Sequence, residues 1–357
     1  MRIGEISSTD HELFIQESTI VSPLQTPDWA GVKPTWEHQK LGWFNENDSL
    51  SGAALVLSQP KTHKDPIAYI PEGPLVHWDP ETVESTMSPL LAHLGRTGIA
   101  AVKMDPRLAL RSWSADTIKR AIADPNITSL RQVPADESYP DAIAVEEYLL
   151  SSGWQPDVVE PGSYGKSQPK FVYQLPLKGD SDQVFSGFST QWRRNIRKSE
   201  KYGVEVTKGG AELLPEFTSL YAETAQRDGF TGRPTEYFET MYTSMTGTDP
   251  ERMQVYVARH EDVALAAAIK MTVGKHAWYM YGASSSQRRE VQASTAVQWQ
   301  MIQDACTRGV ETYDFRGITD AVDGSHHQGV LQFKLGAADG KATEYIGAWT
   351  YPFVEAR

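Results

Sequence analysis

The sequence predicts a mixed α/β protein built from two similar domains. Three observations carry that reading. The chain has 357 residues, enough for two domains of ordinary size. One order of elements, strand–turn–strand–turn–strand–loop–helix–strand, is written twice, about 210 residues apart, which points to an internal structural duplication. Between the copies, residues 149–170 hold Gly153, Pro156, Pro161, Gly162, Gly165 and Pro169, a composition that suits a domain boundary.

In the first copy, residues 40–44 read as a short apolar strand and Asn45-Glu-Asn-Asp-Ser49 as a turn. Residues 53–57 give a second strand, 61–66 a polar turn and 67–70 a third strand, closed by Pro71-Glu-Gly-Pro74. A helix is predicted from 81 to about 94, with Asp79 and Pro80 suited to its start. Residues 100–104 then form a buried strand ending at Asp105-Pro106. In the second copy, strands at 253–259, 263–272 and 276–281 are joined by tight turns. A polar loop over 282–290 leads to a helix near 292–307, and a strand at 311–315 ends at Arg316-Gly317. Ahead of these, Asp182 is placed to cap a long helix that Gly203 stops. Along it Phe185, Phe188, Trp192 and Ile196 recur at i, i+3, i+7 and i+11, one apolar face. Arg193, Arg197 and Lys201 make a stripe at i, i+4 and i+8, with Arg194 and Lys198 beside it.

Lys and Arg total 34 against 46 Asp and Glu, a net charge of −12. That balance argues against a general nucleic-acid coat, DNA included, and against an anionic-membrane binder. Residues 192–201 nevertheless hold five positive charges and one negative. A solvated helix face explains such a ridge; so does a local contact with an RNA backbone. The one cysteine, Cys306, allows neither an intrachain disulfide nor a Cys-rich zinc site and reads as a packing residue. Met1-Arg-Ile-Gly-Glu5 carries no apolar leader, and the longest apolar run, residues 263–269, is far short of a membrane span. The expectation is a cytoplasmic protein. Gly-x-Ser-x-Gly and His-Glu-x-x-His are missing, and Pro169 breaks the helix that Ser167-Gln-Pro-Lys170 would need. His326-His327 have no patterned carboxylate or Cys partner, so neither a metal nor a cofactor is expected.

A meander followed by a helix and a strand resembles the core of the GNAT acyltransferases, so the expected fold is two tandem GNAT-like domains. In that fold, glycines and free amides before the helix cradle the pyrophosphate of coenzyme A. The corresponding Ser284-Ser-Ser-Gln-Arg-Arg-Glu-Val-Gln-Ala293 has no glycine, and acetyl-CoA is therefore not the expected donor.

Longer motifs extend the resemblance. Gln25-Thr-Pro-Asp-Trp-Ala-Gly-Val-Lys33, Lys103-Met-Asp-Pro106, Trp192-Arg-Arg-Asn-Ile-Arg-Lys198 with Tyr202-Gly-Val204, Glu223-Thr-Ala-Gln-Arg-Asp-Gly229, Phe230-Thr-Gly-Arg-Pro-Thr-Glu-Tyr-Phe238, Gln332-Phe-Lys-Leu-Gly336 and Tyr345-Ile-Gly347 are similar to the Fem (FemABX) family of non-ribosomal peptidyltransferases. The resemblance covers nearly the whole chain. It implies transfer of an amino acid (Ala, Ser or Gly) from aminoacyl-tRNA to the side-chain amine of the stem peptide of a peptidoglycan precursor. That acceptor is either UDP-MurNAc-pentapeptide or lipid II, and the second would bring peripheral membrane contact. Residues 1–165 with 345–357 would bind the acceptor, and 166–344 would carry the basic helix and the contact with tRNA.

By the same resemblance, Lys33, Thr231, Arg233 and Tyr237 would hold the precursor's diphosphate and sugar, with a hydroxyl added by Tyr279 or Tyr281. A diphosphate needs fixed positive partners, and Arg can engage two oxygens at once. Lys334, with Phe333 before it, would stand at the reacting ester, where a fixed cation offsets the charge that develops on oxygen. Asp105 would accept the amine's proton or orient the amine; it also reads as a plain Asp-Pro strand end. Arg193, Arg194, Arg197, Lys198 and Lys201 would touch tRNA. Two features depart from the pattern. Glu72 precedes Gly73-Pro74 where the family often has a basic residue, and residues 211–250 lack the heptads of a long helical arm. Two other readings keep part of the argument: a tRNA-dependent transferase with a non-cell-wall acceptor such as a peptidyl antibiotic, and a non-catalytic RNA-binding module.

Overall fold

A computed structural model describes residues 1–324 and 326–353. The side chains of His326 and His327, weighed above for metal, lie outside the described residues. Among the described residues no group of His, Cys, Asp or Glu could hold a metal ion, and no helix is long and apolar enough to cross a membrane.

Contacts divide the chain into two compact units. Unit 1 is Met1–Val172, Gly317–Gly329 and Ala342–Arg357; unit 2 is Tyr173–Arg316 and Val330–Lys341. Gly317–Gly329, expected in the second domain, packs with unit 1 instead: Leu130 donates its N–H to the Asp320 carbonyl and Val322 donates to that of Thr128.

Unit 1 opens with β1 (Arg2–Glu5) and α1 (Ser8–Glu17). The meander follows as β2 (Glu37–Phe44), β3 (Leu50–Ser58) and β4 (Ile67–Ile70), then α2 (Val83–Leu94) and β5 (Ala101–Met104). Six successive residues of β3 are buried, as suits a central strand covered on both faces. α2 buries Val83, Met87, Leu90 and Leu94, an i, i+4, i+7, i+11 face. β4 and β5 are parallel, as a helical crossover requires. The chain continues through β6 (Ala109–Ser114), α3 (Ala115–Ala123), β7 (Glu137–Ser138), α4 (Pro140–Ser151) and β8 (Gln155–Pro156).

Unit 2 runs from β9 (Phe171–Pro176) through α5 (Ser181–Ser186), α6 (Thr190–Lys201) and β10 (Glu205–Gly209) to α7 (Leu214–Asp228) and α8 (Thr235–Met245). Its own meander is β11 (Met253–His260), β12 (Val263–Val273) and β13 (His276–Ser284), followed by α9 (Ala293–Thr307) and β14 (Thr312–Ile318). The strand order is β10-β11-β12-β13-β14-β9. α10 (His326–Lys334), β15 (Lys341–Tyr345) and β16 (Trp349–Pro352) complete the chain. β16 lies between β5 and β8 in the unit 1 sheet, whose order is β1-β2-β3-β4-β5-β16-β8.

The single long helix expected before Gly203 is two helices. Asp180, not Asp182, caps α5 in a reciprocal box with Gln183. The chain breaks at Gly187, where any Cβ would collide with the Asp339 carboxylate. Ser189 then restarts the helix by accepting the Trp192 N–H. Residues 211–250 form the short α7 and α8 and no long arm.

Candidate active site

β13 and β14 pair in parallel only over His276–Trp278 against Thr312–Asp314. Beyond that pairing β13 runs on to Ser284. A cavity of about 200 Å³ is lined there by Phe333, Tyr279, Gln298, Thr224, Arg227 and Ser284, among others.

Lys334 ends α10 and is 5% exposed. Its Nζ donates to the Arg316 carbonyl at 3.3 Å. Arg316 occupies the left-handed region, φ 62°, and its N–H donates to Asp314 Oδ1 at 2.6 Å. This kink turns the Arg316 carbonyl toward the lysine. Burial lowers the Lys334 pKa to about 7, against the opposing pull of the Asp314 carboxylate. The neighbouring Phe333 ring packs on Trp192 at 5.3 Å, within an aromatic cluster that includes Phe188, Trp299 and Phe315. Gly336 lies so close to the Trp192 ring that a Cβ would collide, and its carbonyl accepts the Ser189 N–H at 2.9 Å. The apolar face of the basic helix is therefore the support on which Phe333 rests. The other face exposes Arg194, Arg197 and Lys201 and half-exposes Arg193 and Lys198.

Tyr279 and Tyr281, alternatives in the sequence, go to different places. The β12–β13 register shifts opposite Met280, so the bulge removes the shared face that spacing by two would give. Tyr279 lines the cavity, and burial pushes its phenol up to about 12. The Tyr281 hydroxyl lies 3.4 Å from that of Tyr237. Burial, with the Tyr237 hydroxyl beside it, raises the Tyr281 pKa. The Arg233 guanidinium stands over the Tyr237 ring at 5.0 Å. Thr231 and Arg233 are exposed on the segment that enters α8. Unit 2 thus brings Arg233, Tyr237 and Tyr281 together and holds Tyr279 apart beside Phe333.

In unit 1, Lys33 is the half-buried C-cap of the 3-10 turn Pro27–Val32. The preceding Gln25 is fully buried. Its amide accepts the Leu55 N–H at 2.9 Å and donates to the carbonyls of Leu55 and Pro71 at 3.3 and 2.7 Å. One side chain thus pairs backbone groups of β3 and of the turn before Gly73, where a Cβ would stand 2.6 Å from that amide.

Asp105 is 4% exposed. Oδ1 accepts the Glu72 N–H at 2.6 Å; Oδ2 accepts the Tyr69 hydroxyl at 2.6 Å and the Gln168 N–H at 3.2 Å. Burial raises its pKa to about 6 against these three donors, which favour the anion. Glu72 sits at φ 51°, accepts the Ser22 hydroxyl at 2.5 Å and pairs with Arg107 at 3.4 Å. Sequence reasoning did not single out Tyr69, Gln168, Arg107 or Gln298. Their partners are distant in the chain, and no local pattern marks them.

The fold is that of two GNAT-like domains. The chain belongs to the FemAB family, whose model matches residues 6–259 and 248–356. Within that family it is an aminoacyltransferase. It is 26% identical to the UDP-N-acetylmuramoylpentapeptide-lysine N(6)-alanyltransferase of Weissella viridescens, over 94% of this chain and 91% of that one. It is 22% identical to the lipid II:glycine glycyltransferase of Staphylococcus haemolyticus (strain JCSC1435), over 92% and 88%. Among solved structures, the crystal structure of FemX matches with a TM-score of 0.80 at 20% identity, covering 99% of this chain and 98% of that one. A tandem GNAT protein from the clavulanic acid pathway shares the fold at a TM-score of 0.53 and 12% identity, covering 100% and 99%.

Proposed function

We propose that this enzyme moves an amino acid from aminoacyl-tRNA to the side-chain amine of the stem peptide of a peptidoglycan precursor. The relatives in Weissella and Staphylococcus are named for such acceptors, a muramoyl-pentapeptide lysine and lipid II. The observation that carries the reading is Lys334, a buried amine held on the Arg316 carbonyl, next in the chain to Phe333, which lines the cavity of unit 2.

The chemistry follows from that placement. The acceptor amine attacks the ester carbonyl of the charged tRNA, and negative charge gathers on the carbonyl oxygen. A cationic Lys334 offsets that charge, an effect worth about 3–4 kcal/mol by analogy with a lost oxyanion-hole donor. The amide forms, the C–O bond to the tRNA ribose breaks, and the proton lost by the amine ends on the departing ribose oxygen as its hydroxyl. Arg233, with Tyr237 and Tyr281 behind it, is suited to a phosphate-bearing acceptor, since a guanidinium engages two oxygens at once. The exposed cations of α6 suit the tRNA backbone.

The test is to incubate the pure protein with UDP-MurNAc-pentapeptide or lipid II and tRNA charged with Ala, Ser or Gly. A mass gain on the precursor is expected. It should be lost in Lys334→Met with the circular dichroism spectrum unchanged. Arg193→Glu with Arg197→Glu should weaken use of charged tRNA and flatten its salt dependence by about one unit of slope per lost phosphate contact, with acceptor KM unchanged. No gain with any donor would sink the cell-wall reading. Transfer surviving Lys334→Met would sink the role of the lysine.

A further inference from the structure

The face of β4 and β5 turned away from α2 and α4 carries Tyr69, Lys103 and Asp105, since Val102 and Met104 point into the core on the other side. The segment 157–170 lies over that face and leaves a cavity of about 440 Å³, within the usual range for a small-molecule site.

Its charge is unlike that of the rest of the chain. Lys103, Lys166 and Lys170 line it against one carboxylate, Asp157. Lys103 Nζ is 2.5 Å from Asp157 Oδ2, so that pair is closed. Lys170 Nζ is 3.7 Å from Glu344 Oε1, but this buried carboxylate is shared with Arg111 at 2.6 Å and Arg131 at 3.2 Å. Glu344 is thus shared by three cations, of which Arg131 has a second carboxylate, Asp320, at 3.9 Å. Lys166 forms no ion pair among the described residues and is exposed. Surplus positive charge in a cavity of a protein of net charge −12 calls for an anion. The cavity also adjoins the candidate site: Gln168 lines it, and the Gln168 N–H donates to Asp105. Pro156, Val158, Val159 and Ala348 supply an apolar wall.

We propose that this cavity receives the C-terminal carboxylate of the acceptor's peptide, with Lys166 and Lys170 as its partners. The inference rests on the acceptor being a muramoyl-peptide. A peptide joined to a muramoyl group by its N-terminus ends in a free carboxylate. Its last side chains would cover the apolar wall, which a hydrated phosphate would leave bare. The lining holds no Arg, so it lacks the fork that favours phosphate oxygens in pairs.

The experiment compares UDP-MurNAc-pentapeptide with its C-terminal carboxamide on the full-length enzyme. Binding is measured by calorimetry without tRNA, and transfer is followed separately. The carboxamide should bind about tenfold more weakly and raise KM by a like factor, with kcat little changed. Lys166→Gln, at an exposed position, should erase that difference and leave the thermal midpoint in place. Equal binding of the two precursors by the native enzyme overturns the inference, and so does failure of both to bind. Inorganic phosphate should not compete. If it displaces the carboxamide precursor in the native enzyme but not in Lys166→Gln, the cavity is a phosphate site and the inference is wrong. Carboxylate-dependent binding with no transfer would overturn the proposed function alone. Transfer that ignores the carboxylate would overturn the cavity assignment alone.

Discussion

At the scale of single residues, the candidate site contrasts two buried ionisable groups. Lys334 is shifted down to about 7 and Asp105 up to about 6, each chiefly by burial. Asp105 already accepts three donors of its own unit, an arrangement that holds Tyr69, Glu72 and Gln168 in place. It therefore suits positioning better than proton transfer, although the Lys103-Met-Asp-Pro106 motif marked it for either. Lys334 supports a pH prediction. If its cation stabilises the oxyanion, kcat falls as pH rises through about 7, by up to about tenfold per unit, with the acceptor amine's own titration controlled by varying the acceptor. Stability should move the other way. Between about 7 and the lysine's ordinary value near 10.4 the unfolded chain binds the extra proton, so this group makes the fold more stable as pH rises. Lys334→Met should remove both dependences. A kcat that rises through pH 7 in the native enzyme would instead make the lysine a base. At this scale the sequence was legible where a motif names a residue and illegible where strand geometry decides. The letters of Tyr279 and Tyr281 could not show a bulge at Met280 that sends one ring to the cavity and the other to Tyr237.

At the scale of elements, α6 carries the two stripes that the sequence showed, one apolar and one basic. Its apolar stripe was read from spacing, and Trp192 and Ile196 are indeed buried. What spacing could not show is the partner: the Trp192 ring carries Phe333, next to Lys334. Nor could it show the break at Gly187, because the colliding group, Asp339, comes from the far end of the chain. The contact between α6 and the segment after α10 depends on the missing side chain of Gly336. Gly336→Ala should push Trp192 from its place and cost about 1–3 kcal/mol by overpacking. Denaturant titration reads that cost. Because Phe333 shares the ring contact, kcat should fall further than the loss of folded protein explains. Unchanged stability and rate would show that the aromatic cluster yields freely and does not set the position of Phe333.

At the scale of the whole molecule, the duplicated meander, helix and strand were readable because each copy is local in sequence. The strand laid beside each copy's last strand comes from elsewhere in the chain, so no local pattern marks it; only the family resemblance grouped residues 345–357 with the first domain. β14 is flanked by β9, which precedes its meander, and β5 by β16, which follows all of unit 2. β16 joins β5 through the register Trp349 to Met104 and buries Trp349 in the core of unit 1, with Ile346 just before the strand buried there too. Losing a buried Trp alone costs about 3–5 kcal/mol, while a domain's whole stability is about 5–15 kcal/mol. A chain ending at residue 345 should therefore lose the fold of unit 1. Hydrogen exchange should show α2, α4 and β2–β5 unprotected, with Trp349→Ala giving a partial loss of stability in the intact chain. Full protection of α2 and α4 after truncation would mean that β16 only covers an edge. The C-terminal strand would then be an ornament of the fold and not the piece that closes unit 1.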